Sequence, residues 1–250
     1  MISQRTELGD PSFQLNVTEF QTKILSTEYA SKVRAMISDQ NTLPIESYNP
    51  KGFEIIETPG TSHISTSDAS GLSIALTCTL NLWFGSRLMV PTTGLIMNNE
   101  MNDFSIPDTN NAFGYKPSPA NYVLPGKRPL SSMAPTIVEH RSKSLYYALG
   151  ASGGSYIITA VVQCLWNVLR RNMTLAAALA EPRFHDQLEP NVAEFEYAYS
   201  NDTVSSFVEK GHKVTWSERG SAVFAIKRLA AGGFEAVAEP SLNFGGGETL

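Results

Sequence analysis

The chain has 250 residues, of which 42% are apolar and 17% charged, and its net charge is −5. That composition is too apolar for a disordered segment and too acidic overall for a nucleic-acid-binding surface. The length suffices for one domain that needs no disulfide staples. The two cysteines, Cys78 and Cys164, form neither a disulfide framework nor a four-cysteine zinc site. The longest apolar run, Tyr156–Trp166, contains Gln163 and falls short of the roughly 20 residues of a membrane span. The opening MISQRTELGDPSF has no signal-peptide pattern, and the sequons at Asn16, Asn172 and Asn201 hint only at a secretory route.

Residues 1–40 are polar with helical spacing. Thr18 and Gln21 form a candidate capping box, and Tyr29, Val33 and Ile37 repeat as one stripe of an amphipathic helix. Residues 38–60, rich in Asn, Pro, Gly and Ser, read as a linker. From Thr61 the character changes. Asp68–Gly71 reads as a hairpin turn, after which Leu72, Ile74, Leu76, Cys78 and Leu80 alternate with Ser73, Ala75, Thr77, Thr79 and Asn81. Strict period two predicts a strand with a greasy face and a polar face, the polar one turned to solvent in the usual case. Cys78 on the greasy face and Cys164 in an apolar helix read as buried thiols.

Residues 82–135 are rich in turn formers, with a short strand predicted at Gly94–Met97. Strands follow at Thr136–Glu139 and Leu145–Leu149, and a helix from about Tyr156 to Arg171. A second helix begins with Thr174 as N-cap and stops before Pro182. A third spans about Asn201 to Lys210 with Gly211 as its stop. Strands at Lys213–Trp216, Ala222–Lys227 and Phe234–Val237 close an α+β layered fold.

Three stretches have chemical potential. Gly153 and Gly154 precede a helix, where unpaired N–H groups can face a developing oxyanion, although a flexible loop has the same spelling. Ser131 and Ser132, in PLSSM, offer adjacent hydroxyls to a carboxylate, or form a turn. The run NNEMNDF, 98–104, gathers amides and carboxylates suited to an ammonium group, or to a polar turn. The motifs HExxH, GxxxxGK[ST] and GxGxxG are absent, and His63, His140, His185 and His212 show no ligand spacing.

Taken together, TSHIS (61–65), TCTLN (77–81), FGSRLMVP (84–91), NNEMNDF, GKRPLSSMAPTIV (126–138), GASGGS (150–155) and EPRFHDQ (181–187) resemble the γ-glutamyltranspeptidase, or glutathione hydrolase, family. The stretch NAFGYKPSPANY resembles fungal members.

The resemblance implies an N-terminal nucleophile hydrolase with an αββα sandwich, of which this chain carries the small-subunit half. Autocleavage at Gly60–Thr61 would divide it into residues 1–60, the tail of a large subunit, and 61–250, the small catalytic subunit. Thr61 would be the nucleophile, activated by its own α-amine, whose reference pKa is about 7.7–8.0. Thr79 would orient it. Asn81, Glu100, Asp103, Ser131 and Ser132 would bind the substrate's α-amino and α-carboxylate groups, and Gly153 and Gly154 would form the oxyanion hole.

Glutathione and other γ-glutamyl compounds would donate the acyl group to water or to an amino acid or dipeptide. Neither cofactor nor metal is expected, nor a nucleic-acid partner. A large subunit is the expected partner, supplying an arginine for the substrate carboxylate, and the compartment would be extracellular, cell-surface or vacuolar. Position 102 is Asn where many members have Asp. Two other readings are a truncated, non-catalytic interaction partner and an amidase of other acyl specificity on the same fold.

Overall fold

The computed structural model describes residues 2–54, 60–110, 116–142, 144–241 and 245–249. In chain order the elements are α1 (Ile2–Arg5), α2 (Val17–Ile24), α3 (Thr27–Met36), α4 (Ile45–Tyr48), β1 (Thr61–Ser67), β2 (Ser73–Thr79), β3 (Thr136–Glu139), β4 (Leu145–Ser152), α5 (Tyr156–Leu169), α6 (Leu175–Ala180), β5 (Phe184–His185), β6 (Ala193–Glu196), α7 (Asn201–Glu209), β7 (Val214–Ser217), β8 (Ala222–Arg228) and β9 (Phe234–Ala238). Residues 111–115 of the stretch NAFGYKPSPANY, on which the fungal resemblance rests, lie outside the described residues, as do positions 55–59 of the expected linker.

In the tail the expected capping box is not formed. Helix α2 begins at Val17, so Thr18 lies inside its first turn, and the N-cap Asn16 makes no side-chain cap bond. A cap appears one helix later, where Ser26 Oγ accepts from the Tyr29 N–H at 3.1 Å. Ile37, the last member of the apolar stripe, is the extended C-cap of α3. The linker region also contains α4.

Strands β3, β4, β8 and β9 form an antiparallel sheet in that order. Tyr147, Leu149 and Ala151 project from one face of β4 into a core with Ile157, Val161 and Cys164 of α5, Leu175 and Leu179 of α6, and Val223 and Ala225 of β8. Each large side chain buried there contributes about 1.5–3 kcal/mol. Helix α6 is capped as expected, Thr174 Oγ1 accepting from the Ala177 N–H at 3.2 Å.

The hairpin β1–β2 packs on the other face of this sheet, against β4 and β8. The layers are therefore helices, sheet and hairpin. A smaller sheet, β5-β6-β7, packs with α7 around Phe195 and Val204, with Phe184, Phe207 and Trp216 alongside. Strands β5 and β6, of two and four residues, are not among those expected from the sequence. The strand expected at Gly94–Met97 is reduced to a single bridge, Met89 to Ile96.

The hairpin's two faces are reversed from the expectation. His63 and Thr77 are buried against β4, whereas Ile64, Leu72, Ile74 and Leu76 are each more than half exposed. Cys78, expected to be buried, is exposed, while Cys164 is buried as expected. The polar face turns inward because its side chains satisfy one another there. His63 Nδ1 and Nε2 lie 2.8 Å from Thr77 Oγ1 and 2.9 Å from Ser65 Oγ.

Candidate active site

The hairpin register sets Thr61 opposite Thr79. The Thr61 hydroxyl donates to Thr79 Oγ1 at 3.1 Å, and the Thr79 hydroxyl donates to the Gly60 carbonyl at 2.9 Å. Thr79 Oγ1 also accepts from the Asn81 N–H at 2.8 Å. The Gly60 carbonyl takes a second bond, from the Leu80 N–H at 2.9 Å, and the Gly60 N–H donates to the Asn81 carbonyl at 2.6 Å. The peptide before Thr61 is thus held on both sides. Only glycine fits there, because a Cβ on Gly60 would stand 2.4 Å from the Leu82 carbonyl oxygen.

Asn81 follows the end of β2 with φ 74°, a left-handed conformation that Asn tolerates better than most residues, and it is fully buried. Its amide Nδ2 donates to Asp103 Oδ1. Glu100 and Asp103 occupy one 3₁₀ turn, Glu100–Asp103. Asn99 Oδ1 fastens this turn to the end of the hairpin by accepting from the Leu82 N–H at 3.1 Å.

Burial pushes the Glu100 carboxyl up to about 7, helped by its hydrogen bond to Asp103 and that group's charge. Burial also raises Asp103, against the opposing pull of hydrogen bonds from Glu100 and Asn81 and the charge of Arg5. Two acceptors here, Asn81 Oδ1 and Glu100 Oε2, are buried with no partner among the described residues. Buried oxygens left unpaired are costly. Two of them beside a third, ionisable carboxylate suit a donor-rich cation.

Ser131 is exposed and Ser132 buried. Three residues of which the sequence gave no sign hold this pair in place. Asn121, buried, donates to the Asp103 carbonyl at 2.6 Å and accepts from the Leu130 N–H at 2.9 Å, tying PLSSM to the acidic turn. Arg5 Nε donates to the Ser131 carbonyl at 3.2 Å. Asp10 receives the Arg128 guanidinium as a fork, at 2.8 and 3.0 Å, together with the Arg128 N–H at 2.9 Å. These hydrogen bonds hold the Asp10 carboxyl well below its usual range. The helical tail therefore braces the serine segment. Long-range polar contacts of this kind have no local spelling.

Gly153 and Gly154 follow β4, both with positive φ, at 122° and 61°. A Cβ on Gly153 would meet the Gly220 carbonyl oxygen at 2.3 Å. The turn is linked to the hairpin through His63, whose ring lies against Gly150, where a Cβ would come within 2.2 Å of Cε1. Burial drops the His63 imidazole to about 4, so it sits there neutral. The Ser155 hydroxyl, at the start of α5, is buried with no partner among the described residues.

The fold is that of an N-terminal nucleophile hydrolase, and Thr61, a hydroxyl residue, opens β1 directly after Gly60. Solved structures agree. An acivicin-inhibited γ-glutamyltranspeptidase is 35% identical, with a TM-score of 0.67 over 73% of this chain and 99% of that one. A γ-glutamyltranspeptidase mutant from Helicobacter pylori gives 36% and 0.66 over 71% and 98%. A cephalosporin acylase from Bacillus halodurans, 21% identical, shares the fold with a TM-score of 0.74 over 98% of this chain and 41% of its own.

The γ-glutamyltranspeptidase family model matches residues 1–245. The glutathione hydrolase proenzyme of Arthroderma benhamiae is 54% identical over 98% of this chain, and the glutathione hydrolase of Aspergillus flavus 42% identical over 97%. The chain belongs to the γ-glutamyltranspeptidase family. It spans 42% of the length of each of these two relatives.

Proposed function

We propose that the protein containing this chain is a γ-glutamyltransferase and glutathione hydrolase that cuts itself at Gly60–Thr61 and then uses Thr61 as nucleophile. The observation that carries the reading is the hydroxyl relay Thr61–Thr79–Gly60 carbonyl, set beside two acceptors without a partner among the described residues, Asn81 Oδ1 and Glu100 Oε2.

In self-cleavage, Thr61 Oγ attacks the Gly60 carbonyl carbon. Its proton passes to Thr79 Oγ1, while the proton of Thr79 moves onto the carbonyl oxygen, which the Leu80 N–H also steadies. The carbon–nitrogen bond then breaks, the nitrogen takes a proton, and an ester remains. Water hydrolyses that ester and frees the α-amine of Thr61.

In turnover, this amine takes the hydroxyl proton and Thr61 Oγ attacks the γ-amide carbon of a γ-glutamyl compound. The C–N bond of the substrate breaks, its amine leaves with the proton returned by the Thr61 α-amine, and the acyl group passes from the ester to water, an amino acid or a dipeptide. Glu100, Asp103 and Asn81 grip the substrate ammonium, Ser131 and Ser132 its carboxylate, and the N–H groups at Gly153 and Gly154 the oxyanion.

The exposed apolar face of Ile64, Leu72, Ile74 and Leu76 fits a partner, and we assign it to the large-subunit portion that makes up the rest of the relatives' length. The test is direct. Time-resolved mass spectrometry should show a split between Gly60 and Thr61, and γ-glutamyl-p-nitroanilide should be turned over while a plain acyl anilide is not. An uncut protein with no turnover supports the non-catalytic reading. Equal rates on both anilides support a different amidase, and full turnover by Thr61→Ala removes Thr61 from the mechanism.

A further inference from the structure

We infer that Arg219 is a positioning residue for the Gly153–Gly154 turn, acting through the 219–221 loop; the inference rests on the γ-glutamyl reading of that turn. The guanidinium of Arg219 is held on every edge. Its Nε and Nη2 donate to Glu196 Oε2 at 3.0 and 2.7 Å, and its Nη1 to Glu239 Oε1 at 2.5 Å. It also donates to three successive main-chain carbonyls at the end of α6, those of Leu179 at 3.0 Å, Ala180 at 3.2 Å and Glu181 at 3.1 Å. A cation at a helix C-terminus is favourably placed, and only the planar fork of arginine reaches acids and carbonyls together.

The next two residues press on the turn from two sides. The Gly220 carbonyl and Ser221 Cα leave so little room that a Cβ on Gly153 would come within 2.3 and 2.9 Å of them. On the other side, a Cβ on Gly220 would come within 2.8 Å of the ring of Tyr156, the first residue of α5. Tyr156 is itself fixed, its hydroxyl donating to Glu194 Oε2 at 2.7 Å and its ring stacked on His185 at 4.1 Å.

A second bond comes from Arg183, which donates to the Ser221 carbonyl at 3.4 Å and to Glu239 Oε2 at 2.5 Å. The four charged side chains thus fix the 219–221 loop to α6, β6 and the segment after β9. That loop fixes where the N–H groups of the Gly153–Gly154 turn can point. An oxyanion hole acts through the placement of its donors, and ground-state substrate makes little use of them.

The experiment compares Arg219→Ala and Arg219→Lys with the unaltered protein, per mole of processed Thr61. A glutamate-like boronate, which forms a tetrahedral adduct on the Thr61 hydroxyl, reads the oxyanion site. Free glutamate reads ground-state binding. Loss of a single oxyanion donor costs about 100- to 1,000-fold in kcat, so a displaced turn in Arg219→Ala should cost about 30-fold or more with KM within about 3-fold. Boronate affinity should fall in the same proportion as kcat, glutamate affinity should hold, and Arg219→Lys should lie between.

Unchanged kcat and boronate affinity in processed Arg219→Ala overturn the inference, as does an equal loss in boronate and glutamate binding. If Arg219→Ala does not process, Arg219→Lys decides by the same two ratios. If the unaltered protein neither binds the boronate nor turns over the γ-glutamyl anilide, the reading of the site fails, and this inference with it.

Discussion

Thr79 stands between Thr61 and the bond that precedes it: one hydroxyl accepts from Thr61 at 3.1 Å and donates to the Gly60 carbonyl at 2.9 Å. A hydroxyl can do both at once, and few other side chains can. Thr79→Val keeps the shape and removes both bonds, along with the one Thr79 Oγ1 accepts from the Asn81 N–H. Self-cleavage should slow by about 100-fold or more, in the range seen for loss of a proton-transfer group or an oxyanion donor, while Thr79→Ser should cleave within about 10-fold of the unaltered rate. A time course of the Gly60–Thr61 split by gel and mass spectrometry measures both. Equal rates for the Val and Ser variants would show that the relay is idle.

On the function proposed above, Glu100 and Asp103 make substrate binding depend on pH. Burial holds the Glu100 proton up to about 7 in the free protein, and an incoming ammonium needs the ionised form. KM for a γ-glutamyl substrate should therefore rise as pH falls below about 7, by up to about tenfold per unit if one proton must leave. Above that pH it should level off. Without ligand the sense is opposite, since a raised carboxyl favours the fold below its ordinary value of 4.5 and loses that contribution as pH rises through 7. Glu100→Gln should flatten the acid limb of KM. A limb that persists in Glu100→Gln assigns the titration to another group.

The hairpin marks how far the sequence could be read. The alternation from Leu72 to Asn81 identified a strand and sorted its residues onto two faces, but burial ran opposite to the usual rule. The polar face is inside because His63, Thr77 and Ser65 satisfy one another there, and because Gly150 on β4 leaves room for the ring. Neither cause lies within the strand itself. Likewise NNEMNDF and PLSSM were visible as polar clusters. What joins them, Asn121 with Asp103 and Leu130, spans 18 and 9 residues, and what braces PLSSM from the tail, Asp10 with Arg128, spans 118; neither has a periodic signature. The motifs were legible as local text, whereas their bracing is a property of the fold.

Gly150 therefore gives a test of the inverted face. An alanine Cβ there would stand 2.2 Å from His63 Cε1 and 2.4 Å from Nδ1, on a ring held by two hydrogen bonds. Overpacking of this kind costs about 1–3 kcal/mol. Gly150→Ala should lower the melting temperature, and Gly150→Ala with His63→Ala should recover part of that loss by removing the clash. If the double variant is no more stable than the sum of the two single changes, the two residues are not coupled.

Ile74→Asp and Leu76→Asp test the outer face. Both positions are more than half exposed, so the change should leave the stability of this chain within about 0.5 kcal/mol. It should nonetheless weaken association with the large-subunit portion, because a charge would be buried at that contact. Co-purification of the two portions measures it, and unchanged recovery would place the partner elsewhere.

Arg5 links the tail to the candidate substrate pocket. Its Nε donates to the Ser131 carbonyl at 3.2 Å, and its charge helps keep Asp103 ionised against burial. Burial in turn lowers the Arg5 guanidinium to about 10, so it stays charged at neutral pH. Loss of the cation should let Asp103 hold its proton to higher pH and should loosen Ser131. Hydrogen bonds to charged groups are worth about 1.5–3 kcal/mol, so Arg5→Ala should raise KM about tenfold or more with a smaller change in kcat. Arg5→Lys keeps the charge and loses the Nε donor, so it should restore part of the affinity. A kcat loss without a KM change would refute the assignment. Because Arg5 lies before the Gly60–Thr61 bond and Ser131 after it, the same reasoning requires the tail to stay docked once that bond is cut.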